Sequence, residues 1–138
     1  MRLVDLKGLL LDHAGVLDDP GDAPSGVPPL LEVARCIRRA GIGTALVSNA
    51  NGLCDPELAD QFDVVVLSGA AGVAKPNTEI YLLTARRLGL EPQQCVFVDD
   101  LHRNVVGAVA AGMVGIHHQD VGSTVAELAA LFDLEFPL

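Results

Sequence analysis

Three short apolar runs in this chain each stop at polar residues, and that repeated arrangement constrains the fold more than any other feature. Leu9 to Leu11 runs into Asp12, Thr44 to Val47 into Ser48-Asn49, and Cys95 to Val98 into Asp99-Asp100. Runs of this length, bounded by turn-forming residues, read as strands buried on both faces, the habit of parallel sheets. Val64 to Leu67 and Val114 to His117 read as two more strands.

Helical spacing fills the intervals. Pro28-Pro29 opens a helix whose Leu30, Val33, Ala34 and Ile37 share one face, and Gly41 closes it. Asn77 is the expected N-cap of a helix to about Leu88, ended by Gly89. A further helix covers about Leu101 to Ala111, with Gly112 behind it. Thr124-x-x-Glu127 matches a capping box and predicts a last helix from there to about Leu131. Asp18 to Pro28 and Ser68 to Ala74 read as loops, and Pro56 to Gln61 carries a weak helical pattern. This alternation predicts an α/β fold of three αβα layers around a parallel sheet of about five strands.

The chain has 138 residues, enough for one domain with a proper core, and residues 1–138 are read as a single unit. Half of the residues are hydrophobic, which excludes disorder, and the net charge of −9 argues against nucleic acid or an anionic membrane as a partner. No run approaches the roughly 18 apolar residues of a membrane span. Asp5 and Lys7 interrupt the one apolar stretch near the N-terminus, so a signal peptide is not expected. Cys36, Cys54 and Cys95 are widely spaced and odd in number, as suits free thiols in a reducing cytoplasm.

Parallel strands bring their carboxyl ends to one edge, so Asp12, Ser48-Asn49, Asp99-Asp100 and Lys75 are expected to converge there. Carboxylates gathered at one place repel one another unless a cation sits among them, and hard oxygen ligands suit Mg²⁺. A lysine and a hydroxyl beside them suit a phosphoryl group. Together these groups point to phosphoryl transfer through a carboxylate nucleophile.

The same residues carry a family resemblance. Asp12-x-Ala14-Gly15-Val16-Leu17, Val47-Ser48-Asn49, Lys75-Pro76, and Val98-Asp99-Asp100 followed by Asn104 and Gly107-Ala108 resemble the four motifs of the haloacid dehalogenase (HAD) superfamily, from about Leu9 to His117. The resemblance implies an HAD-like fold and Asp12 as both nucleophile and Mg²⁺ ligand. It also implies the Ala14 main-chain carbonyl and Asp100 as further ligands, with Asp99 supporting Asp100 through water. Ser48 and Asn49 would hold phosphoryl oxygens, Lys75 would offset charge on nucleophile and phosphoryl group, and Asn104 would orient Lys75 or the metal shell.

Two departures stand out. Phosphatases of that superfamily usually carry Asp two positions after the nucleophile as general acid and base, where this chain has Ala14. General acid–base help is typically worth about 10²-fold to 10⁴-fold in rate, so turnover of an alkyl phosphate is expected to be slow or absent. The intervals after Asp12 and after Ser48 are also too short for a cap domain. An uncovered site invites a larger phosphorylated partner as well as a small phosphorylated molecule, or a second copy of the chain as lid.

The leading expectation is therefore a capless, Mg²⁺-dependent phosphomonoester hydrolase. Its alternative is a binding or regulatory domain that keeps the pocket without turnover. A receiver-type phosphoacceptor is disfavoured by motif order, and a dehalogenase by the full set of carboxylates. His13 is expected to point away from Asp12, and His117-His118, adjacent on a strand, to face opposite sides rather than share an ion. His102 and Arg103 are expected on a solvated helix face.

Overall fold

The computed structural model describes residues 5–22, 26–53 and 55–137. Cys54 and the first four residues, on which part of the thiol and N-terminal readings rest, lie outside the described residues. Five strands, β1 (Gly8–Leu11), β2 (Gly43–Ser48), β3 (Val64–Leu67), β4 (Cys95–Asp99) and β5 (Val114–His117), form one parallel sheet in the order β3-β2-β1-β4-β5. β1 sits at its centre, with Leu11 in register with Leu46 on one side and Val98 on the other. The predicted three-layer α/β architecture is the one observed.

Alternation along the strands divides the core in two. Leu9 and Leu11 face a cluster built with Leu30, Val33 and Ile37 of α1 (Pro29–Arg39) and Leu128 and Phe132 of α5 (Val121–Phe132). Leu10 faces the other way, with Phe97, toward Ile80, Tyr81 and Ala85 of α3 (Thr78–Leu88) and Ala108 of α4 (His102–Ala110). Strands clothed on both faces explain why the runs read as continuously apolar rather than alternating.

Two local readings need correction. Ser68–Ala71 is a short helix, α2, ended by Gly72 at φ 75°, where a loop was expected. The last helix begins at Val121, with the Asp120 carboxylate accepting from the Ser123 backbone N–H. Thr124 is therefore an interior helical residue and no cap. Its hydroxyl is spent on a buried contact with His118 instead. A carboxylate three residues before Ser123 and a hydroxyl three before Glu127 are equivalent local signals, and the long-range contact decides between them.

Gly107 shows how tightly α4 is set against the sheet edge. A Cβ there would overlap the Pro76 carbonyl and crowd the Pro76 ring, so the glycine lets the helix rest on the Lys75-Pro76 turn. In a free helix Gly→Ala gains about 1 kcal/mol, whereas overpacking costs about 1–3 kcal/mol. Here the clash is with backbone, so Gly107→Ala is expected to destabilise the fold despite its better helix propensity. A lower urea midpoint with an unchanged slope would show it, and a raised midpoint would refute the close-approach argument.

Candidate active site

The ends of β1, β2 and β4 each deliver one part of the site. Asp12 leaves β1 with its N–H on the Val98 carbonyl at 3.1 Å, so it lies beside the end of β4. The chain then turns sharply, with Ala14 extended and Gly15 at φ 84°. Gly15 has a second reason to lack a side chain, because a Cβ would overlap the Asp100 carboxylate. Gly15 thus permits both the turn and the approach of Asp100 to Asp12.

Lys75 comes from the turn before α3. Its Nζ donates to Asp12 Oδ1 at 2.6 Å and to Asp99 Oδ2 at 2.9 Å, and lies 5.5 Å from the centre of the Phe97 ring. The side chain is 1% exposed. Asn49, at the end of β2, sets the backbone of this lysine: its Nδ2 donates to the Lys75 carbonyl at 3.0 Å and its Oδ1 accepts the Lys75 N–H at 2.9 Å. The side chain of Asn49 is therefore occupied in placing Lys75.

Asp99 is fully buried and has three donors. Besides Lys75 it accepts from Asn104 Nδ2 at 3.0 Å and from the Leu101 N–H at 2.9 Å. Asn104 is held in turn through its own carbonyl, which accepts from the Tyr81 hydroxyl at 2.6 Å. Asp12, Asp100, Ser48, Asn49, Lys75 and Asn104 all line one open cavity of about 300 Å³, with Ala14, Gly15 and Leu101 at its walls. All of the residues proposed from sequence thus meet at one edge, apart from Asp99, which lies just beneath the cavity.

The site is short of positive charge. Oxygens of Asp12, Asp99 and Asp100 all lie within 4.8 Å of one another, and Lys75 is their one cationic partner among the described residues. Burial pushes the Asp12 carboxyl up to about 6, against the opposing pull of Lys75. Asp100 is also raised, first by burial and then by the neighbouring Asp99. Three clustered carboxylates could hold a divalent ion, and an all-oxygen set fits Mg²⁺. Asn104 Oδ1 is buried with no hydrogen-bond partner, an acceptor that a water on such an ion would satisfy.

Sequence reasoning missed one element. His118 is buried, with Nδ1 on Thr124 Oγ1 at 2.7 Å and Nε2 on Asp19 Oδ2 at 2.8 Å. Asp19 lies on the segment that follows Asp12, and its neighbour Asp18 accepts from the Gly15 N–H at 2.7 Å. The loop bearing Ala14 and Gly15 is thereby latched to α5. His117 instead meets the Asp100 carbonyl through Nε2 at 3.0 Å, so the two histidines do serve different places.

The match to a family model falls on this frame, with residues 6–112 fitting the haloacid dehalogenase-like hydrolases. The chain belongs to that family. Acyl-CoA dehydrogenase family member 10 of Mus musculus is 36% identical over 116 residues, which are 80% of this chain and 11% of the mouse protein. Phosphatase MT3486 of Mycobacterium tuberculosis is 38% identical over 93 residues, 65% of this chain and 43% of that phosphatase. The chain thus spans a minor part of these curated relatives.

An uncharacterized protein from Corynebacterium glutamicum, known from its crystal structure, superposes with a TM-score of 0.84 at 34% identity, covering 96% of this chain and 99% of that one. A Bacteroides thetaiotaomicron HAD family enzyme, crystallised with magnesium and inorganic phosphate, shares the fold at a TM-score of 0.60 and 17% identity, covering 83% and 95%. Among the described residues, 13–22, 26–28, 49–53 and 55–75 hold turns, a strand and short helices rather than a cap domain. No helix among the described residues is long and apolar enough to cross a membrane.

Two outcomes are expected. Without a cation, the raised Asp12 value means that its protonated form favours the folded state, an advantage complete below pH 3.8 and lost as pH rises through about 6. A cation reverses this by favouring the ionised form. Mg²⁺ is therefore expected to raise the melting temperature more at pH 7.5 than at pH 5, approaching about 2.7 kcal/mol at a hundredfold excess over Kd, and EDTA to cancel the gain. An equal shift at both values, read by thermal denaturation, would separate the cation from these carboxylates. Separately, His118→Ala leaves the buried Thr124 hydroxyl without its partner and is expected to cost about 1–3 kcal/mol in urea unfolding. A neutral effect would show that the latch carries no load.

Proposed function

We propose that this domain is a Mg²⁺-dependent hydrolase of phosphate monoesters that works through an aspartyl-phosphate on Asp12. The observation that carries the reading is the buried Lys75 Nζ, 2.6 Å from Asp12 Oδ1, at the point where Asp99 and Asp100 also converge. A lysine held there leaves Asp12 ionised next to a cation while its other oxygen remains available for attack. Family membership and the phosphatase relative support the same class of chemistry.

In this reading Asp12 attacks phosphorus, the bond to the leaving oxygen breaks, and water later releases phosphate and restores the carboxylate. Ser48, with the backbone N–H groups around Asn49, faces the transferred phosphoryl oxygens, and Lys75 offsets their charge. Asp12, Asp100 and the Ala14 carbonyl would hold Mg²⁺, with Asp99 as its buried support and Asn104 keeping Asp99 and Lys75 in place. When bound, the ion supplies charge neutralisation at the phosphoryl group. The cavity is open, so the substrate is either a small phosphorylated molecule or a phosphate on a larger partner, including one presented by or covered by a second copy of the chain. A reducing cytoplasm suits the free Cys36 and the buried Cys95.

Hydrolysis of an activated aryl phosphate is expected to require Mg²⁺ and to be abolished by EDTA. Asp12→Asn should remove it altogether, and Asp100→Ala should raise the Mg²⁺ concentration needed for half-maximal rate. Full activity in Asp12→Asn would overturn the nucleophile. Metal binding without turnover in the native chain would favour a phosphate-binding module instead.

A further inference from the structure

The residues around the cavity bear on which phosphate esters it can cleave. Its ionisable lining consists of Asp12, Asp100 and Lys75. The two carboxylates belong to the acidic cluster, and the lysine is committed to Asp12 and Asp99. None is free to protonate a departing group. The histidines at this end of the sheet do not fill the gap: His117 is engaged with the Asp100 carbonyl, the His102 ring lies tilted against His117 with ring centres 5.5 Å apart, and neither lines the cavity, nor does His13. The apolar side chains of the lining are those of Ala14 and Leu101, and Leu101 is 43% exposed, among the most exposed large apolar side chains described. Among the described residues, Lys75 is the one cationic side chain lining the cavity, and it is buried.

We propose that the site takes phosphate monoesters whose leaving group departs as a weak base and is apolar and otherwise uncharged, the chemistry of an aryl phosphate. This rests on the phosphatase reading and narrows it. In the first step an Asp12 oxygen forms the new bond to phosphorus, and the P–O bond to the leaving group breaks with its electron pair staying on oxygen. With no donor within reach among the described residues, the group leaves as a phenolate and takes its proton from solvent. In the second step water attacks phosphorus, the electron pair returns to Asp12, and the water proton passes to phosphate or solvent. A basic alkoxide would have to be expelled unprotonated, and a second anionic group would meet no cation at the wall. Both are disfavoured by the same lining.

The test is a series of substituted phenyl phosphates together with simple alkyl phosphates, measured with Mg²⁺ on the full chain and on Ala14→Asp and Ala14→Asn. In the native protein kcat/KM is expected to fall steeply as the leaving group becomes more basic. Ala14→Asp should flatten that dependence, with a gain of about 10²-fold to 10⁴-fold for the alkyl esters, the usual worth of a general acid. Ala14→Asn, of similar size but without an acidic proton, should leave the dependence steep. Leu101→Ser should raise KM for aryl phosphates more than it lowers kcat. A flat dependence in the native protein, or equal effects of Asp and Asn at position 14, would overturn the inference while leaving the hydrolase reading intact. No turnover of any ester by the native chain would remove the hydrolase reading and this inference with it.

Discussion

One buried ammonium organises the functional end of this molecule. Lys75 Nζ bridges Asp12 at the end of β1 and Asp99 at the end of β4, two neighbouring strands, while its own backbone is gripped by Asn49 at the end of β2. Charges this far from water are expensive to desolvate, and removing one member of a buried pair leaves the other uncompensated, typically at about 3–5 kcal/mol. The arrangement is tolerable because the ammonium meets two carboxylates and Asp99 meets three donors. Around it the packing is correspondingly exact in its demands: Phe97 lies beneath the ammonium, Tyr81 meets Phe97 edge-on at 5.0 Å, and Gly107 lets α4 close over the Lys75-Pro76 turn.

That same cluster is not balanced. Lys75 answers two carboxylates and Asp100 adds a third, and burial, with the neighbouring Asp99 adding to it, raises both Asp12 and Asp100. A fold selected for stability alone would be improved by removing one carboxylate, since clustered like charges oppose folding. Their retention beside an open cavity is the pattern expected where local stability is given up for binding chemistry.

What could be read from the sequence follows the range of the interactions involved. The strands were legible because burial on both faces writes itself as an unbroken apolar run, and Leu9 to Leu11, Thr44 to Val47 and Cys95 to Val98 each needed no partner to be recognised. Once the strands are parallel, convergence of their end residues follows from topology. Lys75 was legible through its place in the motif order, since an isolated lysine before a proline signals nothing. The start of α5 was misread because Asp120 and Thr124 offer competing caps of similar local strength, and the choice rests on a buried contact between Thr124 and His118. The link from His118 to Asp19 joins residues 99 positions apart through single side chains, with no periodicity to announce it.

The two parts of the site are consequently held by different physics. The floor is made of strand ends, whose positions are set by sheet register and by a core buried on both faces, so Asp12, Asp99 and the end of β2 have little freedom to move relative to one another. The wall is made of the segment after Asp12 and the residue that opens α4, held by the Asp18 contact to Gly15, the Asp19 latch and the cap on Asp99. Under the proposed mechanism, changes at Ala14 or Leu101 would therefore alter which group leaves without disturbing the strand ends that would receive the phosphoryl group. Where the described residues form no cap, that wall is the part of the structure that the proposed function would leave to discriminate among substrates.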